Sequence, residues 1–151
     1  CHVMGVANQE IGEKLAHALN RLGVRHAVVV NGADGLDDLT VTGESHIFEV
    51  MSGKVTERTV TPVDLGVSRH DESEIAGGTP EENAQVFRDV LAGTGSLAVR
   101  DLILVNAGAG LYVTGLASSI KIGAELAAKA IDSGDAAARV GAFVEATRRA
   151  S

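Results

Sequence analysis

The stretch from Asn8 to Val30 leaves the chain few ways to fold. Ile11, Leu15, Leu19 and Leu22 recur at helical spacing behind Asn8, a residue type that caps helix N-termini. Gly23 follows, where a left-handed C-terminal cap is expected. The apolar run His26 to Val30 comes next and has the pattern of a strand covered on both faces. With the opening Cys-His-Val-Met-Gly-Val read as a strand, the succession is strand, helix, strand. That is one βαβ unit, and its strands should be parallel.

Composition narrows the class. The chain has 151 residues, about one domain, and 45% of them are hydrophobic. Aromatics make up only 3%, so Val, Leu, Ile and Ala must fill the core. A net charge of −7 argues against a nucleic-acid surface, which needs a basic stripe. Cys1 is the single cysteine, which excludes an internal disulfide and fits a reducing compartment. No apolar run reaches the roughly 20 residues a membrane span requires. The longest candidate, Leu102 to Leu116, is interrupted by Asn106 and by glycines. The opening residues lack the basic start and long apolar stretch of a signal peptide. They already read as a strand without an initiator Met, so the chain is expected to be a piece of a longer protein.

Further along, "HIFEVM" and "KVTERTVT" flank Ser52-Gly53, which predicts an antiparallel hairpin from about Ser45 to Thr61. "RHDESEIAGG" reads as a loop. Thr79-Pro80-Glu81-Glu82 is a capping box for a helix bearing Val86, Val90 and Leu91 that stops at Gly93. Ser119 can cap a helix with Ile122, Leu126 and Ala130, ending near Ser133-Gly134. Asp135 can cap a last helix carrying Val140, Phe143 and Val144. No internal repeat or linker divides the sequence.

Two stretches could carry chemistry. "LILVNAGAGLYVTG" resembles a glycine-rich phosphate turn, but the dinucleotide fingerprint needs a glycine where Val113 stands. The preferred reading is one buried helix from about Leu97 to Leu116. "NGADGLDDLT", Asn31 to Thr40, leaves the carboxyl end of a predicted parallel strand, where open α/β sheets place their ligands. The adjacent carboxylates Asp37 and Asp38 suit Mg²⁺, which takes oxygen ligands and keeps waters that bridge to phosphates. They equally suit a solvated turn, and the residues alone leave both readings open. His2, His17, His26, His46 and His70 show no zinc spacing, and no Gly-x-Ser-x-Gly marks a nucleophile.

The ordered set "GVANQEIGEKLAHALNRLGVRHAVVVNGADGLDDLTVTG", "TPVDLGV", "GGTPEENAQVFRDVLAG", "RDLILVNAGAGLYVTG" and "AKAIDSG" resembles the later part of anthranilate phosphoribosyltransferases, over essentially the whole chain. The resemblance implies an α/β fold with a mainly parallel sheet, an antiparallel hairpin and flanking helices. It would be the later part of a nucleoside phosphorylase/phosphoribosyltransferase-like catalytic domain. Residues 1–151 would be the C-terminal portion of that domain, without the N-terminal helical domain through which the family forms homodimers. The implied reaction joins anthranilate to phosphoribosyl pyrophosphate, releasing pyrophosphate in cytoplasmic tryptophan synthesis.

Position by position, Asp37 and Asp38 match the family's Mg²⁺-holding pair, usually Asp-Glu, so that Asp38 is the shorter member. Asn31 stands where the family often has histidine and is given no catalytic duty. The family's Gly-Thr-Gly-Gly-Asp loop, its Lys-His-Gly-Asn stretch and its anthranilate-contacting arginine do not match any position here. The chain alone is therefore expected to be inactive. The alternatives are a related nucleoside phosphorylase or another aromatic-amine transferase, a non-catalytic binding module, and a nucleotide-binding Rossmann-like domain.

Overall fold

A computed structural model describes residues 1–149. The expected βαβ unit opens the chain: β1 (His2–Gly5), α1 (Gln9–Arg21) and β2 (His26–Gly32). The Asn8 side chain accepts a hydrogen bond from the Ile11 amide, 3.0 Å, and β1 pairs with β2 in parallel, His2 against Ala27 through Gly5 against Val30. The hairpin follows as β3 (Ser45–Met51) and β4 (Lys54–Val60). Ser52 and Gly53 both take positive φ, 53° and 77°, the two-residue turn whose twist matches a hairpin.

The sheet order is β1-β2-β3-β4. The α/β class and the hairpin are as expected, but the proportion of parallel pairing is corrected. Only β1 and β2 run parallel, while β2–β3 and β3–β4 are antiparallel. The reason is the connection after β2. Residues 33–44 form no crossover helix, and the Ala33 amide donates to the Glu44 carbonyl at 2.9 Å, so the chain turns straight back. The result is a compact loop with closed ends.

Both faces of β2 are covered. Ala27 and Val29 face α1 with Val6, Ala16, Leu19, Phe48 and Val50. Val28 and Val30 face the other layer with Leu39, Val41, Ile47, Val105 and Ala109. Ile11 and Leu22, which share the helical spacing, stay 48% and 79% exposed, and Ala16 and Leu19 carry the buried stripe.

Helices α2 (Pro80–Leu91), α3 (Leu97–Val113), α4 (Ile120–Asp132) and α5 (Asp135–Arg149) complete the chain. Thr79 and Glu82 form the expected capping box. A short 3₁₀ turn, Glu72–Glu74, lies within the expected loop. Asp135 begins α5 itself, and its amide donates to the Ser133 hydroxyl at 3.4 Å. α5 buries none of its residues.

The "NAGAG" glycines lie within α3, as the helical reading expects. A Cβ on Gly108 would stand 2.6 Å from the Ala124 amide nitrogen, and one on Gly123 2.3 Å from the Gly108 carbonyl oxygen. These glycines let two helix backbones cross at contact.

Candidate metal-binding loop

The loop from Ala33 to Glu44 leaves the carboxyl end of β2 and sorts its three aspartates by their partners. Asp34 is used internally. One of its oxygens accepts the Leu36 amide at 3.1 Å; the other accepts the Thr42 hydroxyl at 2.7 Å and the Thr40 hydroxyl. Partial burial works to raise the Asp34 carboxyl, but these donors outweigh it and hold the group below the ordinary carboxylate value. The Gly32 amide closes the turn onto the Leu36 carbonyl at 2.8 Å.

Asp37 and Asp38 are treated differently. Both are exposed, and neither side chain makes a hydrogen bond or ion pair with another described residue. Loss of solvent around the Asp38 carboxyl and, after it, the charge of Asp37 push Asp38 above its ordinary value. Two neighbouring carboxylates thus stand with no cation among the described residues to neutralise them. Among the described residues no group of three or more His, Cys, Asp or Glu side chains converges on one point. A pair that supplies only two carboxylates fits a hydrated hard cation better than zinc, which wants a closed N/S shell.

The backbone beneath the pair is fixed. Leu39 and Val41 are fully buried. The Leu39 amide donates to the Asn106 side-chain oxygen at 3.0 Å, and the Leu39 carbonyl accepts the Asn106 side-chain nitrogen at 2.9 Å. The Thr40 amide donates to the Ser45 hydroxyl at 2.9 Å. Arg69 donates to the Thr42 carbonyl at 2.8 Å, the His70 amide donates to the Val41 carbonyl at 2.9 Å, and the His70 ring meets Asp101 at 2.9 Å. On the other side Gly5 touches the loop, for a Cβ there would fall 1.5 Å from the Asp37 carbonyl oxygen. Asn31 is buried and donates to the Val6 carbonyl at 2.9 Å, a joint between β2 and the start of α1. A cleft of about 560 Å³ opens beside it, lined by Ala7, Asn8, Glu10, Gly32 and Gly35 among others.

A second polar centre lies at the opposite end of β2. Glu49, 4% exposed, accepts from the Tyr112 hydroxyl at 2.6 Å, from Arg58, and lies 2.9 Å from the His26 ring nitrogen. The His26 and Tyr112 rings meet edge to face, centroids 4.8 Å apart. Burial opposes ionisation of Glu49, yet donation from Tyr112, His26 and Arg58 holds its carboxyl below the ordinary value. Sequence reasoning passed over this centre. The available signal was a glutamate at an inward position of "HIFEVM", on the same strand face as Ile47.

Comparison with known proteins gives this geometry a context. Residues 1–137 match the family described as glycosyl transferase family, α/β domain. The chain belongs to that family. Among relatives within it, the chain is 47% identical to an anthranilate phosphoribosyltransferase of Natronomonas pharaonis, over 95% of this chain and 43% of that protein. It is 43% identical to one of Rubrobacter xylanophilus, over 97% of this chain and 43% of that protein. The chain therefore spans under half the length of these family members. In structure it superposes on the anthranilate phosphoribosyltransferase of Thermus thermophilus with a TM-score of 0.82 at 34% identity, covering 93% of this chain and 41% of that one. The Saccharomyces cerevisiae enzyme in complex with PRPP and Mg aligns at TM-score 0.80 and 23% identity, over 95% of this chain and 40% of that one, a likeness of fold. No helix among the described residues is long and apolar enough to cross a membrane.

Proposed function

We propose that this chain is the later part of the α/β catalytic domain of an anthranilate phosphoribosyltransferase, and that Asp37 and Asp38 hold Mg²⁺ there. The observation that carries the reading is the pair itself. It stands without an ion-pair partner among the described residues at the carboxyl end of a parallel strand, on a loop whose other aspartate is bonded internally, in a chain with 47% identity to an enzyme of that name. The Saccharomyces cerevisiae enzyme, solved in complex with PRPP and Mg, shares this fold.

When bound, Mg²⁺ would neutralise charge that builds on the departing pyrophosphate. The work of this chain's own residues is to bind and to hold. Asp37 and Asp38 supply two anionic oxygen donors. Asp34, locked to Thr40 and Thr42, keeps the turn from collapsing toward them. The phosphate-binding and anthranilate-binding groups are assigned to the remainder of the enzyme, together with the homodimer contact, and the cytoplasm is assigned as its compartment. The 151-residue chain alone is accordingly inactive.

The test joins this chain to the preceding portion of the Natronomonas pharaonis relative and follows the loss of anthranilate fluorescence with phosphoribosyl pyrophosphate and Mg²⁺. The chimera turns over, the isolated chain does not, and the Asp37→Ala/Asp38→Ala chimera falls by about 100-fold, as expected when about 2.7 kcal/mol of metal stabilisation is lost. Undiminished turnover by the double variant would sink the assignment of the pair.

A further inference from the structure

α3 is an apolar helix, yet three polar side chains along it, Asp101, Asn106 and Tyr112, each meet a partner on the sheet or on the loops that leave it. Asp101 and Tyr112 meet side chains, those of His70 and Glu49. Asn106 alone meets backbone. It takes both the N–H and the C=O of Leu39, as a neighbouring strand would, and a third bond from its amide nitrogen to the Leu102 carbonyl, 3.0 Å, fixes the side chain on its own helix.

Leu39 is fully buried in an irregular segment, so its two backbone groups need internal partners. An asparagine carries one acceptor and a two-hydrogen donor on a short stem. Aspartate lacks the donor, and leucine of similar size lacks both. The residue so gripped directly follows Asp38. Directly before Asp38, the Asp37 backbone abuts Gly5 of β1, with no space for a side chain between them.

We propose that Asn106 is a positioning residue for the Asp37–Asp38 pair. Its carboxamide, by occupying both backbone groups of Leu39, clamps the acidic loop against β1 and sets where the two carboxylates stand. The proposal rests on the metal reading of that pair and adds to it a residue that touches neither metal nor substrate.

The experiment uses the 151-residue chain with Mn²⁺ as the probe, its binding read by electron paramagnetic resonance, and amide hydrogen exchange followed by NMR. In the unsubstituted chain the Leu39 amide exchanges as slowly as those in the middle of α3. In Asn106→Ala it exchanges at least about 100-fold faster while Val30 stays unchanged, because only the former has lost its acceptor. Mn²⁺ affinity falls about 10-fold, the scale on which outer partners of metal ligands act. Asn106→Leu, which keeps the volume, gives the same two changes if Asn106→Ala is too unstable to measure.

A Leu39 amide that exchanges like an open loop in the unsubstituted chain, or is unmoved by a folded Asn106 variant, overturns the clamp. A folded variant that loosens Leu39 but binds Mn²⁺ like the unsubstituted chain, while Asp37→Asn/Asp38→Asn does not bind it, overturns positioning. If Asp37→Asn/Asp38→Asn binds Mn²⁺ as well as the unsubstituted chain, the metal reading fails instead, and the exchange rates still judge the clamp.

Discussion

β2 carries a carboxylate centre at each of its ends, and the two are built on opposite terms. Near its start, Glu49 is buried and saturated: a phenol, a guanidinium and an imidazole converge on it from α3, β4 and β2. Past its end, Asp37 and Asp38 are exposed and have no side-chain partner among the described residues. A carboxylate whose donors all come from within the chain is committed to holding the fold together. A pair whose mutual repulsion is left standing is available to a cation from outside. The same residue chemistry thus separates structure from function by what surrounds it, and the carboxyl groups respond in opposite directions, Glu49 downward and Asp38 upward.

The largest test of that contrast removes the buried charge. Glu49→Gln leaves three donors facing a neutral amide and is expected to cost about 3 kcal/mol in denaturant unfolding. The lower end of the range for broken buried pairs applies because Arg58, 41% exposed at its side chain, can turn to water. Mn²⁺ affinity should not change. Because the folded value of Glu49 is depressed, its stabilisation is complete above the ordinary 4.5 and drains as the pH falls through the folded value. The variant should therefore lose part of the acid sensitivity of unfolding.

Gly5→Ala comes next and attacks the other centre through its support. The new methyl group has no space beside the Asp37 carbonyl, so the loop must shift, with an expected cost of about 2 kcal/mol for overpacking. Here Mn²⁺ affinity should fall as well. Stability lost with unchanged Mn²⁺ binding would mean that the position of the pair does not matter to the metal.

Asp38→Asn should have the smallest effect on the fold, a gain of up to about 0.5 kcal/mol, with Mn²⁺ binding lost. Its raised carboxyl reverses the pH argument. The penalty of ionising Asp38 is absent below the ordinary 3.8, grows as the pH rises to the folded value, and stays constant above it. The stabilisation by Asp38→Asn should accordingly vanish in acid. Destabilisation at neutral pH would show that Asp38 has an internal partner after all, and the contrast between the two centres would break.

Much of the framework was legible because it is local. Asn8, Gly23, the Thr79–Glu82 box and Ser52-Gly53 each act within a few residues, and each does in the structure what its type demands. The missing glycine at Val113 correctly separated a packed helix from a phosphate turn. What escaped depends on partners far along the chain. Glu49 takes its donors from His26, 23 positions away, and Tyr112, 63 positions away, as well as from Arg58 on the next strand, and Asn106 grips Leu39, 67 positions away. Asn106 looked like an interruption of an apolar run, because spacing shows which residues share a face and not what waits opposite. Ile11 and Leu22 failed for the same reason. They keep the helical period, but the face of α1 that meets the sheet is the one carrying Gly12, Ala16 and Leu19. The excess of antiparallel pairing traces to the 33–44 connection, whose length alone permits a crossover but whose bonds close it on itself.

The burial of Leu39 and Val41 has a consequence for anyone wishing to move this loop to another protein. Its two acidic residues cannot be transplanted as a surface cassette, since the residues that follow them are bricks of the host's interior. A recipient would need a cavity for two aliphatic side chains, a carboxamide at the height of Asn106 and a bare backbone at the place of Gly5. Such a site is inherited with its domain, and it can drift only as fast as the core beneath it.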